Sequence, residues 1–400
     1  MARQIAAGID IGTSQIKVII AEEVLVNGRM MPRIIGAGTA ESRGIERGYI
    51  IDIEEASRSI RSALNKAEKM AGEKIRRAYL STGGVGLSSL SANGSVVITR
   101  ADLEVTERDL ELALEVAESS LSVNALQNRR IINSIPIEYK IDGKPVWGRV
   151  EGLKAQKLEV KALFLTAMEH HLQDTIKASE LAGVEVIDVV AGPVAASFVT
   201  LSKKQKKAGC LLLDIGAETL SVVVFENDNP ISLEVFPIGG ADITNNIALG
   251  LKVPLDDAEI IKLGGLTRAN FPRKKLDEVI VTCFSNSFEP VQEHLKKLGR
   301  DGLLPAGIII TGGGADLSNI KDYAQDYFKL PAQVAEIHFS PSDKGRVKEN
   351  IWAIACGLSI IGFNADSEQT LVGGRSSESL TRAIKKIGHR LGDLISRFLP

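Results

Sequence analysis

One unit occurs twice in this chain. Residues 5–23, IAAGIDIGTSQIKVIIAEE, read as a β run, an Asp-x-Gly turn and a second β run, with Ile and Val on both sides of the turn. Residues 210–228, CLLLDIGAETLSVVVFEND, repeat that order roughly two hundred positions later. A repeat of this size predicts an internal duplication, with two like-folded lobes facing each other. Four hundred residues also exceed what one hydrophobic core usually supports, so at least two packed units are expected.

The turns carry the chemistry. In the first, Gly12 lets the backbone bend so that the amides of Thr13 and Ser14 point into one concavity suited to phosphate oxygens. Asp10 at the strand end suits a hydrated Mg²⁺, and Lys17 can return to meet phosphate charge. Asp214, Gly216 and Thr219 offer the same parts again. A third turn, GIIITGGGADLSNI at 307–320, places Gly312, Gly313 and Gly314 behind an apolar strand, where a flat ring or ribose can approach the backbone. Taken singly, each also reads as a plain hairpin turn or as glycine for tight packing. All three in this order are far more specific. No GxxxxGK[ST] occurs and no GxGxxG follows the first strand, which removes support from the rival nucleotide folds.

Between these turns, helical spacing of Ile53, Ile60, Leu64, Ala67 and Met70 predicts a helix over 53–71, stopped by Gly72. Residues 86–163 read as a compact α+β unit that opens on the Gly/Ser-rich GGVGLSSLSANGS, continues through the strand VVIT and a helix near 106–120, and ends in two further strands. A helix at 169–182 and the strand VEVIDVV lead to an AGPVAAS turn. KKQKK at 203–207 reads as a solvated interlobe loop, His170-His171 as surface polarity without a third ligand, and Trp147 and Trp352 as core residues. The apolar run IWAIACGLSIIGF at 351–363 is about half of what a membrane span requires and reads as a buried helix. Residues 364–378, NADSEQTLVGGRSSE, read as a flexible linker.

Composition narrows the class. Forty-four per cent apolar and 24% charged residues make an ordinary globular protein, and a net charge of -2 argues against a general nucleic-acid binder. Cys210, Cys283 and Cys356 lack any CxxC spacing, so neither a disulfide framework nor a zinc site is expected and a reducing compartment fits. The N-terminal apolar run meets Asp10 too soon for a signal peptide.

The three turns in this order resemble the actin, sugar kinase and Hsp70 ATPase superfamily. Longer segments sharpen the likeness: SRGIERGYIIDIEEASRSIRSALNKAEKMAG, the insertion with INSIPIEYKIDG and GLKAQKLEVKALFLTA, PIGGADITNNIALGL followed by AEIIK, and LPAGIIITGGGA all resemble the bacterial cell-division FtsA family. The resemblance covers nearly the whole chain. It implies an α/β, actin-like two-lobed ATPase fold with an inserted small α+β subdomain and a C-terminal amphipathic helix. The implied parts are subdomain 1A (1–85 and 164–205), 1C (86–163), 2A (206–240 and 301–363) and 2B (241–300), then the linker and the helix at 379–400.

It implies ATP with Mg²⁺ in a cleft between the lobes. Asp10, Gly12, Thr13, Ser14 and Lys17 match the first phosphate motif, and Asp214, Gly216 and Thr219 the second. Asp10 and Asp214 would hold the metal through water. Gly239 and Gly240 match the turn before a cleft-facing helix, Glu259 and Lys262 the pair near ribose and base, and Gly312 to Gly314 the adenosine motif. The implied partners are the FtsZ tail on 2B, further copies of the chain in a filament, anionic lipid, and other division proteins through 1C. That places the protein on the cytoplasmic face of the membrane at the division site.

Three positions depart from the family pattern. Ala217 and Glu218 stand where the second turn often has glycines, and a carboxylate there weakens nucleotide binding unless it points away or meets the metal. Gly192-Pro193 stands where active relatives carry Glu-Pro, which predicts slow hydrolysis and no confident catalytic residue. Val281-Thr282-Cys283 replaces a Glu-Pro-Arg on the subdomain that receives the FtsZ tail. A PilM-like pilus-assembly adaptor and a small-molecule kinase of the same superfamily are the alternatives; the amphipathic terminus speaks against both.

That terminus, SLTRAIKKIGHRLGDLISRFLP, sets Leu380, Ile384, Ile387, Leu391, Leu394, Ile395, Phe398 and Leu399 on one helical face. Arg382, Lys385, Lys386, Arg390 and Arg397 flank it against Asp393 alone, so the last 22 residues carry +4 and the other 378 carry -6. Each cation near anionic lipid contributes on the order of 1 kcal/mol, roughly 4 kcal/mol for the helix before apolar insertion. Truncation after Ser376 is expected to leave a folded ATP binder that no longer sediments with anionic liposomes; unchanged sedimentation would reject the lipid assignment.

Overall fold

The computed structural model describes residues 4–26, 29–265, 273–337, 339, 347 and 349–369. The set from Leu380 to Leu399 expected to bind the membrane lies outside the described residues, as does 370–378 of the expected linker.

The chain opens with β1 (Ile5–Ile11) and β2 (Gln15–Val26), an antiparallel hairpin closed by the first Asp-x-Gly turn, and β3 (Arg29–Glu41) extends it. A small hairpin, β4 (Ile45–Glu46) and β5 (Tyr49–Ile50), then enters α1 (Ile53–Ala71). Asp52 caps that helix by accepting the Glu55 N–H at 2.9 Å, and Ile60, Leu64 and Ala67 bury one face at i, i+4, i+7 spacing. β6 (Arg77–Thr82) joins β1 in parallel.

The insertion follows: β7 (Ser88–Val97), α2 (Glu107–Ser119), β8 (Arg129–Ile141), β9 (Lys144–Val146) and β10 (Lys157–Met168), in sheet order β7-β10-β8-β9. The Gly/Ser-rich opening is therefore mostly strand. A Cβ on Gly94 would overlap the Ala113 carbonyl, so small residues let α2 press directly on β7. The insertion has its own core of Ile98, Leu114, Leu158 and Phe164. The first lobe then completes with α3 (Glu169–Leu181), β11 (Glu185–Ala191), parallel to β6, and α4 (Gly192–Thr200).

α5 (Lys203–Ala208) links the lobes. β12 (Cys210–Ile215), β13 (Leu220–Glu226) and β14 (Asn229–Phe236) form an antiparallel meander, followed by α6 (Gly240–Leu251), α7 (Leu255–Lys262) and α8 (Arg273–Lys297). β15 (Ile308–Thr311), α9 (Ile320–Phe328), β16 (Ala332–Val334) and α10 (Ala353–Gln369) close the described chain. Sheet one runs β11-β6-β1-β2-β3, and sheet two runs β16-β15-β12-β13-β14 with the same pattern of parallel and antiparallel neighbours. The duplication inferred from the two turns thus holds strand for strand.

β12 is apolar up to Asp214 because both faces of the strand are covered. Leu211, Leu213 and Ile215 face the helices α6, α8 and α9, whereas Cys210 and Leu212 join a core that continues into the first lobe. α4 and α10 lie in that shared core, packed on each other and on β13 and β1 respectively. The approach is backbone to backbone: a Cβ on Gly357 would overlap the Ala195 carbonyl, and one on Gly8 the Ala355 carbonyl.

Four readings are corrected. KKQKK is not a solvated loop: Ser202 and Gln205 form a capping box that starts α5, and Lys206 is fully buried, with its ammonium 5.0 and 5.2 Å from the ring centroids of Phe198 and Phe225. Burial pushes its pKa down to about 7. His171 is buried edge-on to Tyr49, its pKa lowered by desolvation to about 4, while His170 is exposed beside Asp174. Trp147 is 79% exposed on the insertion, whereas Trp352 does pack on the core. α10 continues to Gln369, six residues into the segment read as linker, because its helix-breaking Gly373-Gly374 comes later.

In an exposed helix interior Gly→Ala usually stabilises by about 1 kcal/mol. Gly357→Ala is expected to reverse that sign and cost about 1–3 kcal/mol in urea unfolding, because the methyl would force α10 off α4.

Candidate functional site

Asp10 ends β1 with 4% of its surface exposed. Lys17 donates to its Oδ2 at 3.0 Å and the Ser81 hydroxyl to its Oδ1 at 3.0 Å, while Ser81 Oγ accepts the Ile11 N–H at 3.0 Å. Ser42 pins the turn itself: its N–H reaches the Ser14 carbonyl at 3.0 Å and its hydroxyl the Gly12 carbonyl at 2.5 Å. Thr13 and Ser14 lie at the turn's tip, the first half-buried and the second exposed.

Asp214 ends β12 at the matching place. It is half-buried, and the protein packed around it and, secondarily, the charge of Asp10 push its carboxyl up to about 7, against the pull of Lys17. The Gly216 N–H donates to the Thr219 carbonyl at 2.8 Å and closes the second turn. The start of α6 is stapled to that turn, with the Gly240 N–H on the Gly216 carbonyl at 3.0 Å and the Ala241 N–H on the Ala217 carbonyl at 2.8 Å. A side chain on Gly239 would overlap Ala217.

Lys262 Nζ donates to Glu259 Oε2 at 2.6 Å, Thr244 Oγ1 at 2.8 Å and the Gly240 carbonyl at 3.2 Å. Burial would raise Glu259, but its bonds from Lys262 and Thr244 outweigh that and lower its pKa. The Ser318 N–H then reaches the Lys262 carbonyl at 3.4 Å, just beyond the three glycines. Gly312, at φ 82, lies so close that a Cβ would overlap Asp214 Oδ1, and Gly314 packs on Ile215. Contacts therefore join Asp10 to Lys17 and Ser81 in the first lobe, Asp214 to Gly312 in the second, and Gly216 through Gly240 to Lys262, while Asp10 and Lys17 reach Asp214 through their charge.

Asp10 and Asp214, near the ends of corresponding strands, are the carboxylates that would hold a hydrated Mg²⁺. No cluster of three or more candidate metal ligands occurs among the described residues. Glu218 points away from the turn, accepting the Arg47 N–H at 2.6 Å. Gly192 starts α4 close to Ser81 and Thr82. Val281, Thr282 and Cys283 lie on α8, where Val281 is exposed, Thr282 bonds to the Glu278 carbonyl at 2.8 Å and Cys283 is buried.

Ser81 escaped the sequence reading, although LSTGG at 80–84 repeats the ITGGG of 310–314 and marks the same strand end in each lobe. Ser42 had no comparable signal.

A family model described as "Cell division protein FtsA" matches residues 211–357, and one described as "SHS2 domain inserted in FTSA" matches residues 84–166. A cell division protein FtsA of Borreliella burgdorferi is 30% identical over 356 residues, which are 84% of this chain and 85% of that one. The chain belongs to the FtsA family of cell-division proteins. The Pseudomonas aeruginosa FtsA is 28% identical over 90% of each chain. Among solved structures, the PilM-PilN type IV pilus biogenesis complex is similar with a TM-score of 0.64 at 18% identity, covering 89% of this chain and 98% of that chain. MreB5 of Spiroplasma citri bound to AMPPNP is similar at 0.52 and 15%, covering 92% and 98%. FtsA-family membership fixes the process as cell division, and the structural likenesses fix the fold as actin-like.

Gly312→Ala and Gly313→Ala separate site geometry from general packing. At position 313 the nearest atom to a new Cβ is Ile351 Cγ2 at 3.7 Å, so melting should hardly change. At 312, positive φ and the overlap with Asp214 are expected to cost about 1–3 kcal/mol in urea unfolding.

Proposed function

We propose that this chain binds ATP with Mg²⁺ between its lobes, assembles into filaments and holds the FtsZ ring to the cytoplasmic face of the membrane through its C-terminal helix. The observation that carries the reading is the convergence of both Asp-x-Gly turns, the Gly239-Gly240 helix start, the Glu259–Lys262 pair and the three-glycine turn on one cleft. The amides of the first turn bind phosphate, Lys17 neutralises it, and Gly312 to Gly314 leave room for the nucleoside. Bound Mg²⁺ supplies charge neutralisation of the phosphates. Asp10 and Asp214 orient its waters.

Hydrolysis is slow on this reading, because Gly192-Pro193 offers no side chain to polarise water. ATP then acts chiefly as a ligand that favours the closed lobes and, through them, self-association. Assembly in turn presents many terminal helices together, which raises membrane avidity without new contacts. A peripheral attachment agrees with the described residues, among which no helix is long and apolar enough to cross a membrane. Subdomain 2B receives the FtsZ tail, and 1C meets other division proteins.

The test is electron microscopy of the full chain on anionic lipid monolayers. Ordered filaments are expected with Mg-ATP and none with Asp214→Asn. Excess Mg-ATP, at about 100 times Kd, should stabilise the wild type by about 2.7 kcal/mol; no thermal shift at all would overturn the nucleotide assignment.

A further inference from the structure

Glu218 stands at the tip of the second phosphate turn, and its Oε2 accepts the backbone N–H of Arg47, 171 positions away and in the other lobe. Both ends of this bond are held rigidly. On the second lobe, α6 is stapled to Gly216 and Ala217 by two backbone hydrogen bonds, and Gly239 packs against Ala217 and the Glu218 nitrogen. On the first lobe, Arg47 (φ 48) and Gly48 (φ 79) form the tight turn between β4 and β5. That turn lies on the end of β6, where a Cβ on Gly48 would overlap Gly84 Cα and the Arg47 carbonyl approaches Gly84. Three residues before Gly84, the same segment supplies Ser81 to Asp10. Arg47 is exposed and Glu218 half-buried, yet both stand on turns fixed by their own backbone bonds, so the bond reports the separation of the lobes.

We propose that Glu218 is an interlobe clasp, a positioning residue that holds the two lobes together through the Arg47 N–H. Its role rests on the nucleotide-cleft reading only in naming what the closed cleft is for. The clasp also removes the carboxylate from the phosphate turn, turning a charge that would repel phosphate into a link beside it. Lobe closure, which ATP would otherwise have to drive alone, is then partly built in, and the nucleotide's differential contribution to closure is reduced.

The experiment measures the lobe separation of the full chain without nucleotide, by spin-label distances between Lys69→Cys on α1 and Lys296→Cys on α8. Both positions are exposed, and the native Cys210, Cys283 and Cys356 are buried, so the labels report the introduced sites. Glu218→Ala is expected to lengthen and broaden the distance distribution and to speed amide exchange at Arg47 about tenfold. Glu218→Asp keeps the charge but shortens the reach, and should behave like the alanine variant. Glu218→Gln keeps an acceptor oxygen of the same reach, and should restore the wild-type distribution. Wild-type distances in both the Ala and Asp variants would overturn the clasp. ATP titration of the wild type decides the nucleotide reading separately, since the ligand-free distances stand whichever way that titration falls.

Discussion

α4 and α10 meet backbone against backbone, in the core that the two sheets share. Gly357 meets the Ala195 carbonyl, and Gly8 of β1 meets the Ala355 carbonyl, with no side chain between them. Helices that pack through glycine and alanine have no long side chains to adjust, so their separation is set by van der Waals contact alone. That separation fixes the distance between the two sheets. It thereby fixes how far apart Asp10 and Asp214 stand at their strand ends.

The electrostatics of the cleft follow from this spacing. Asp214 is raised first by the protein packed around it and second by the charge of Asp10, which is held at the matching end of the other sheet. Lys17 and Ser81 stabilise Asp10 from its own lobe, whereas Asp214 has Gly312 against it, a residue with no side chain to offer. The asymmetry leaves the second lobe's carboxylate as the more demanding of the pair for a cation. Glu218 would have worsened it. Its bond to Arg47 turns it outwards, towards the other lobe.

Much of this was legible beforehand, for specific reasons. Glycines at turns and aspartates at strand ends are local signals, so both hairpins, α1 with its Asp52 cap, and the insertion were readable in outline. Misreadings arose where a side chain's surroundings come from distant sequence. KKQKK looks solvated because the two rings enclosing Lys206 come from α4 and β13. His171 looks like its exposed neighbour until β5 brings Tyr49 against it. The capping box at Ser202 and Gln205 was the one local hint that the lysines begin a helix. For Glu218, sequence identified the departure from glycine but not its direction, because Arg47 is 171 residues distant.

By itself the sequence determined the duplication, the order of the three glycine turns, and the apolar and basic periodicity of the terminal segment. These depend on residue type and short-range spacing, which backbone sterics translate directly into turns and helices. Only the tertiary structure decided which carboxylate faces which, that Ser81 supports Asp10, and that Glu218 reaches across to the first lobe. Such facts depend on how two sheets close on α4 and α10, and close packing of that kind is a property of the assembled core rather than of any one stretch of chain.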